Sequence, residues 1–130
     1  MNQTRKMRIL IADDHEVVRR GIKAIFDGHP MWEVCGEAED GQAAVDKFAE
    51  LRPNLVVLDL SMPVMGGFQA ANRIRLLAPN AKIVILSVHA LEMTQAIAAL
   101  CGVDAVLTKS ASRDTILDTV AALFKEPAHV

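Results

Sequence analysis

Two kinds of apolar pattern alternate along this chain. Short runs rich in β-branched residues occur at Arg8 to Ala12, Leu55 to Leu58, Lys82 to Leu86 and Ala105 to Thr108. Runs of this length and make-up predict buried parallel strands. Between them, apolar residues recur at helical spacing. Val17, Val18, Gly21, Ile22, Ile25 and Phe26 form one such stripe, ended by Gly28, His29 and Pro30. Ala44, Val45, Phe48 and Leu51 form a second after Asp40-Gly41, and Phe68, Ala71, Ile74 and Leu77 a third, after Gly66-Gly67 and before Pro79-Asn80. An alanine-rich segment carrying Met93, Ile97 and Leu100 runs to Gly102, and Ile116, Leu117, Val120, Leu123 and Phe124 follow a Ser112 placed to cap a last helix. The segment Trp32 to Ala38 alternates, with Trp32, Val34 and Gly36 set against Glu33, Cys35 and Glu37. That alternation predicts a strand exposed on one side, at a sheet edge.

Five strands each followed by a helix predict a parallel sheet with helices on both faces, because parallel connections need long right-handed crossovers. The amphipathic second strand suits an edge, and the uniformly apolar first, third and fourth suit the centre, which favours the order 2-1-3-4-5. In that order the winding reverses between strands 1 and 3, and ligands bind outside the carboxyl ends at such a point.

Length leaves room for one domain, since 130 residues fall within the common domain size of about 100 to 150. A net charge of −2 and a pI of about 6.0 give no field that favours nucleic acid or an anionic membrane. No apolar stretch approaches the roughly 18 residues a membrane span requires, and the first residues do not resemble a signal peptide, so the chain is expected to be cytoplasmic. Cys35 and Cys101 lack a metal-binding neighbourhood and fit the role of small hydrophobes in a reducing compartment. His15, His29, His89 and His129 lack metal-ligand spacing and are assigned to the surface.

The chemistry collects at strand ends. The first run stops on Asp13-Asp14, the third on Asp59, the fourth on Ser87 and the fifth on Lys109. Two carboxylates about 4 Å apart repel by about 4 kcal/mol at an effective dielectric near 20, so three together need a cation or raised pKa values. Carboxylates without Cys or His partners select Mg²⁺, with Mn²⁺ as a substitute. A nucleophilic Asp, a divalent ion, a Lys and a hydroxyl are the parts required for phosphoryl transfer to a carboxylate, with an aspartyl phosphate as product. Taken singly each residue has a plainer reading: Asp14 as a helix N-cap, Asp59 as the start of an Asx-turn, Lys109 as a solvated charge.

Taken together, Asp13-Asp14, Asp59 followed by Leu60-Ser61-Met62-Pro63, Ser87 and Lys109 resemble, in order and spacing, the receiver domain of two-component response regulators. Ala12-Asp13-Asp14-His15, Val34 to Ala38, Leu86-Ser87-Val88 and Lys109-Ser110 look most similar to the NarL/LuxR-type group. The resemblance implies a CheY-like, flavodoxin-like (βα)5 three-layer sandwich over residues 7–125, with residues 1–6 and 126–130 as flexible ends. CheY itself exemplifies the 2-1-3-4-5 order, so the strand order expected here is carried partly by the resemblance.

The resemblance further implies that Asp59 is phosphorylated and that Asp14, Asp59 and the backbone carbonyl of Ser61 ligate Mg²⁺, with Asp13 acting through water. Ser87 and Lys109 would bind the phosphoryl group and act as the switch, and Ser61, His89 and Val106 would modulate the site. The implied partners are a sensor histidine kinase, a second copy of the chain on phosphorylation, and DNA only through a C-terminal domain absent from this chain. The chain would then be a signalling switch and not an enzyme. Val106 stands where the family usually has Tyr or Phe, so an aromatic switch is not implied. Two other classes share parts of this pattern. A flavin-binding module needs a Ser/Thr/Gly-rich phosphate loop where this chain has Asp13-Asp14-His15-Glu16, and an aspartyl-phosphate phosphohydrolase usually needs a DxD pair and a cap.

Overall fold

The computed structural model describes residues 6–88 and 92–125. The expected flexible ends, Lys6 apart, and the expected modulator His89 lie outside the described residues, as does the side chain of Met93. Ten elements alternate: β1 (Met7–Ala12), α1 (Glu16–Asp27), β2 (Trp32–Ala38), α2 (Gly41–Leu51), β3 (Leu55–Asp59), α3 (Gly67–Leu77), β4 (Lys82–Ser87), α4 (Glu92–Leu100), β5 (Ala105–Thr108) and α5 (Arg113–Phe124). All five strands are parallel, in the order β2-β1-β3-β4-β5.

Burial explains the order. Ile9 and Ile11 of β1 pack on one face with Ile22 and Phe26 of α1 and Ile116, Leu117 and Val120 of α5. Leu10 and Ala12 pack on the other with Ala44 and Phe48 of α2 and Ala70, Ala71 and Ile74 of α3. Each fully buried Ile or Leu contributes about 1.5–3 kcal/mol, and only a central strand buries both faces. Helix α4 packs against β5 and completes the second face by the right-handed crossover from β4. Asp40 caps α2 by accepting from the Ala43 N–H at 2.7 Å, and Ser112 caps α5 by accepting from the Thr115 N–H at 3.1 Å.

Four expectations need correction. A bulge in β2 lets Ile9 pair with Val34 and Leu10 with Gly36, so Cys35 is skipped and Gly36 faces the opposite side of the sheet from Val34. A Cβ on Gly36 would lie 2.6 Å from Leu51 Cδ1, so the bulge lets Leu51 close over the strand. In α1, Val17 points outward at 84% exposure and Arg19 takes a place in the buried stripe with Ile22 and Phe26. In α4, Ala98 is buried while Ile97 and Leu100 are exposed, since an edge strand as short as β5 offers little surface to cover. His29 is buried, with its ring stacked on Trp32 at 4.0 Å and 7° and its Nδ1 accepting the Met31 N–H at 3.1 Å.

Candidate functional site

Ladder register brings the acidic residues together. Ala12 pairs with Leu58, so the next residues, Asp13 and Asp59, leave adjacent strands side by side. Asp59 pairs with Leu86 and Ser87 with Thr108, which sets Ser87 and then Lys109 along the same carboxyl edge. The Lys109 N–H donates to the Ser87 carbonyl at 2.8 Å, tying the ends of β4 and β5 together. Among the described residues the buried polar side chains are Asp13, Arg19, His29, Asp59 and Ser87, and three of these five stand at this edge. Polar burial is costly in an apolar sheet, so its concentration at one end marks the site.

The Lys109 ammonium lies 3.0 Å from Asp13 Oδ2 and 3.1 Å from Asp59 Oδ1. Burial of Lys109 acts to lower its pKa, but the two carboxylates outweigh it and hold the ammonium above its ordinary value. Burial pushes the Asp59 carboxyl above the usual carboxylate range. Lys109 opposes that shift, the charge on Asp13 adds to it, and the Ser61 amide opposes it in turn. Asp13 Oδ1 accepts the His15 N–H at 2.8 Å in an Asx-turn. Asp13 Oδ2 lies 3.0 Å from the Lys109 ammonium and has no further polar partner. A buried carboxylate oxygen left in this state is suited to a further cation or an ordered water.

Asp14 is not the cap of α1. His15 holds the N-cap position with no side-chain cap, which leaves the Asp14 carboxylate for the cluster. Asp13, Asp14, His15 and Asp59 each present one ligand atom within 4.8 Å of the others. An oxygen-rich donor set of this kind fits Mg²⁺ or Mn²⁺. Ser61 is exposed at the start of the loop after Asp59, and Val106 is half-buried against the α2–α3 face of the sheet.

That loop is closed on itself. The Leu60 N–H donates to the Leu86 carbonyl at 2.8 Å, the Gly67 N–H to the Leu60 carbonyl at 2.9 Å, and the Met65 N–H to the Pro63 carbonyl at 2.7 Å. The last bond spans Val64, whose φ of 69° is a strained value for a β-branched residue. Two glycines press on the loop: a Cβ on Gly67 would lie 2.5 Å from the Asp59 carbonyl oxygen, and one on Gly41 would lie 2.0 Å from that of Met65. Neither position admits a side chain without moving backbone.

Two residues at the site were not predicted. His15 was assigned to the surface, and its ring is indeed largely exposed, yet its Nδ1 lies 3.1 Å from Asp14 Oδ1 and 3.3 Å from Asp13 Oδ1. Arg19 donates from Nη1 to the Asp13 carbonyl at 2.6 Å and from Nε to Glu37 Oε1 at 3.1 Å, bracing the turn that carries Asp13 against the end of β2. A cleft of about 240 Å³ lined by Phe48, Pro53, Asn54, Ala81 and Phe124 lies at the amino ends of β3 and β4, away from the carboxylates.

An acidic cluster bridged by one lysine at the carboxyl edge of a β2-β1-β3-β4-β5 sheet defines a CheY-like, flavodoxin-like class of signalling domain. The family model for the response regulator receiver domain matches residues 9–121, and the chain belongs to that family, the receivers of two-component systems. The response regulator protein VraR of Staphylococcus saprophyticus is 34% identical over 115 residues, covering 88% of this chain and 54% of that protein. A LuxR-family two-component response regulator from Aurantimonas sp. superposes with a TM-score of 0.87 at 30% identity, covering 93% of this chain and 87% of that one. CheY of Borrelia burgdorferi, in a CheX-CheY-BeF3-Mg²⁺ complex, superposes with a TM-score of 0.86 at 25% identity, covering 91% of this chain and 89% of that one. The chain spans about half the length of the curated relatives it matches, 53% of the transcriptional regulatory protein DegU of Brevibacillus brevis and 54% of VraR. No helix among the described residues is long and apolar enough to cross a membrane.

Proposed function

We propose that this chain is a phosphoacceptor switch that receives a phosphoryl group on Asp59 from a phosphohistidine of a sensor kinase. An Asp59 carboxylate oxygen attacks phosphorus, the P–O bond forms as the P–N bond breaks, and the leaving imidazole nitrogen keeps the electron pair and takes up a proton. Asp14, Asp59 and the Ser61 carbonyl would hold Mg²⁺ directly, and Asp13 through water. The ion would supply neutralising charge to a dianionic donor approaching carboxylates. Lys109 leaves its pairing with Asp59 for the phosphoryl oxygens, and the Ser87 hydroxyl turns to a second oxygen. Ser61 and Val106 would modulate this movement, as would His89, which lies outside the described residues.

The observation that carries the reading is the Lys109 ammonium within 3.1 Å of both Asp13 and Asp59. Such a group is charged at neutral pH and already within reach of the atom that would be phosphorylated. Phosphate adds about −1.5 to −2 charge there, enough to reorder these contacts and shift the surface above β4 and β5. The reading extends to a cytoplasmic, non-enzymatic regulator that pairs with a second copy when phosphorylated and acts on DNA through a domain beyond this chain. Its action on DNA is supported by the transcriptional regulatory proteins DegU and YdfI among the relatives.

Incubation with acetyl phosphate followed by intact-mass measurement tests it. Wild type should gain one phosphate in Mg²⁺ or Mn²⁺ and none in EDTA, and Asp59→Asn should gain none. Full labelling of Asp59→Asn, or full labelling in EDTA, would overturn the assignment.

A further inference from the structure

His15 carries chemistry that the phosphoryl-transfer reading leaves unused. Its Nδ1 stands 3.1 Å from Asp14 Oδ1 and 3.3 Å from Asp13 Oδ1. Two ligands at right angles around an ion, each about 2.1 Å from it, lie about 3.0 Å apart. The imidazole nitrogen is therefore spaced from Asp14, the carboxylate proposed to hold the ion directly, as a neighbouring ligand in one octahedral shell would be. The His15 backbone N–H bonds Asp13 Oδ1 at 2.8 Å, so the turn that shapes the acidic cluster also holds the ring against it. The Asp13 side chain beside it is 1% exposed, with Oδ1 turned to His15 and Oδ2 to the Lys109 ammonium at 3.0 Å.

We propose that His15 Nδ1 is an additional ligand of the divalent-ion site and biases it from Mg²⁺ toward imidazole-binding transition ions, with Mn²⁺, Co²⁺ and Ni²⁺ gaining in that order. This rests on the site holding an ion at all, as proposed above. Mg²⁺ takes oxygen ligands and keeps its waters, so it gains little from an imidazole. The transition ions gain in the Irving–Williams order. A site of three carboxylates alone would follow charge and size. One nitrogen donor makes it sensitive to the kind of ion present.

Two other roles for the ring make different predictions. An Nδ1–H that only hydrogen-bonds the carboxylates would orient them for every ion equally. An imidazolium would repel every ion, and its removal would raise all affinities.

The test is calorimetric titration of the full chain with Mg²⁺, Mn²⁺, Co²⁺ and Ni²⁺ at one pH, for wild type, His15→Ala and His15→Asn. Since the ring is 66% exposed, neither substitution removes core packing. Electron spin echo modulation of bound Mn²⁺ reads directly coordinated nitrogen in the same samples. Both variants should lose on the order of tenfold in Ni²⁺ affinity, less for Mn²⁺ and nothing measurable for Mg²⁺, and the nitrogen modulation present in wild type should vanish. Losses equal across the four ions, a general gain in affinity, or nitrogen modulation absent from wild type or persisting in His15→Ala would overturn the inference. If wild type binds Mg²⁺ and Mn²⁺ without nitrogen coupling, only this inference falls. If it binds neither, the metal-dependent function falls with it.

Discussion

Replacing Lys109 with Met removes the ammonium that lies 3.0 Å from Asp13 Oδ2 and 3.1 Å from Asp59 Oδ1 and keeps most of the aliphatic stem. At an effective dielectric near 20, each contact amounts to about 5.5 kcal/mol of gross attraction, of which desolvation of the three groups cancels a large part. Removing one partner of a buried ion pair typically costs about 3–5 kcal/mol, because the remaining charge stays buried without compensation. Lys109 retains 21% exposure, which places the expected loss at the lower end, about 3 kcal/mol, or a fall in Tm of roughly 10 °C for a domain of this size. The same deletion releases two carboxylates from an internal cation. Mg²⁺ should then bind Lys109→Met at least about tenfold more tightly than wild type, equivalent to about 1.4 kcal/mol, and restore much of the lost Tm. Thermal melts with and without Mg²⁺, together with calorimetric titration, measure both quantities. A variant that melts like wild type in metal-free buffer, or binds Mg²⁺ more weakly than wild type, would refute the idea that the lysine and the ion share these carboxylates.

Val64 offers a second prediction: its φ of 69° stores about 1–3 kcal/mol, and the side chain is 81% exposed, so Val64→Gly should raise stability by about 1 kcal/mol after the entropic cost of glycine. Urea denaturation measures this, and a loss of stability would show that the turn relaxes in solution. The third concerns pH. Asp59 has a folded pKa above its unfolded value near 3.8, so its ionised form disfavours the fold, and without metal that cost should shrink as pH falls toward 3.8. Lys109 is shifted upward from about 10.5, so its stabilising contribution is complete below that value and is lost only as pH rises through the higher folded pKa. Asp59→Asn should therefore stabilise the metal-free protein at pH 7 and flatten the acid side of its stability profile, as measured by urea midpoints between pH 4 and 8; a less stable Asp59→Asn at pH 7 would contradict it.

Elements were readable because the hydrophobic pattern is consistent with burial on both faces of β1, β3 and β4, which favours the centre of the sheet for these strands, and the family resemblance carried the rest of the strand order. The strand ends were readable for the same reason, which is why Asp13, Asp59, Ser87 and Lys109 could be placed on one edge before any contact was known. What failed was local. The alternation in Trp32 to Ala38 concealed the bulge, because a skipped residue at Cys35 leaves the composition unchanged while reversing the side of Gly36. Arg19 sits three and seven residues before Ile22 and Phe26, so a charged residue inside an apolar stripe was visible as a signal, and its partners were not. Spacing among the histidines does not reveal His15, because its neighbours in space are the two aspartates that precede it. His29 followed from packing on Trp32, which depends on how the chain turns after α1.

The closed loop after Asp59 gives the site a direction. On one side, backbone bonds from Leu60 to Leu86 and Gly67 to Leu60, with Gly41 and Gly67 pressed against the chain, leave Asp59 a fixed abutment. On the other, Lys109 meets it through its side chain, which rotates at far lower cost than backbone. A force arising between the two sides moves the compliant one. Under the proposed function, the Val64 turn and its glycine neighbours would be the anchor against which a change of charge at Asp59 does mechanical work, and a softer anchor would dissipate the displacement locally without altering the proposed reaction.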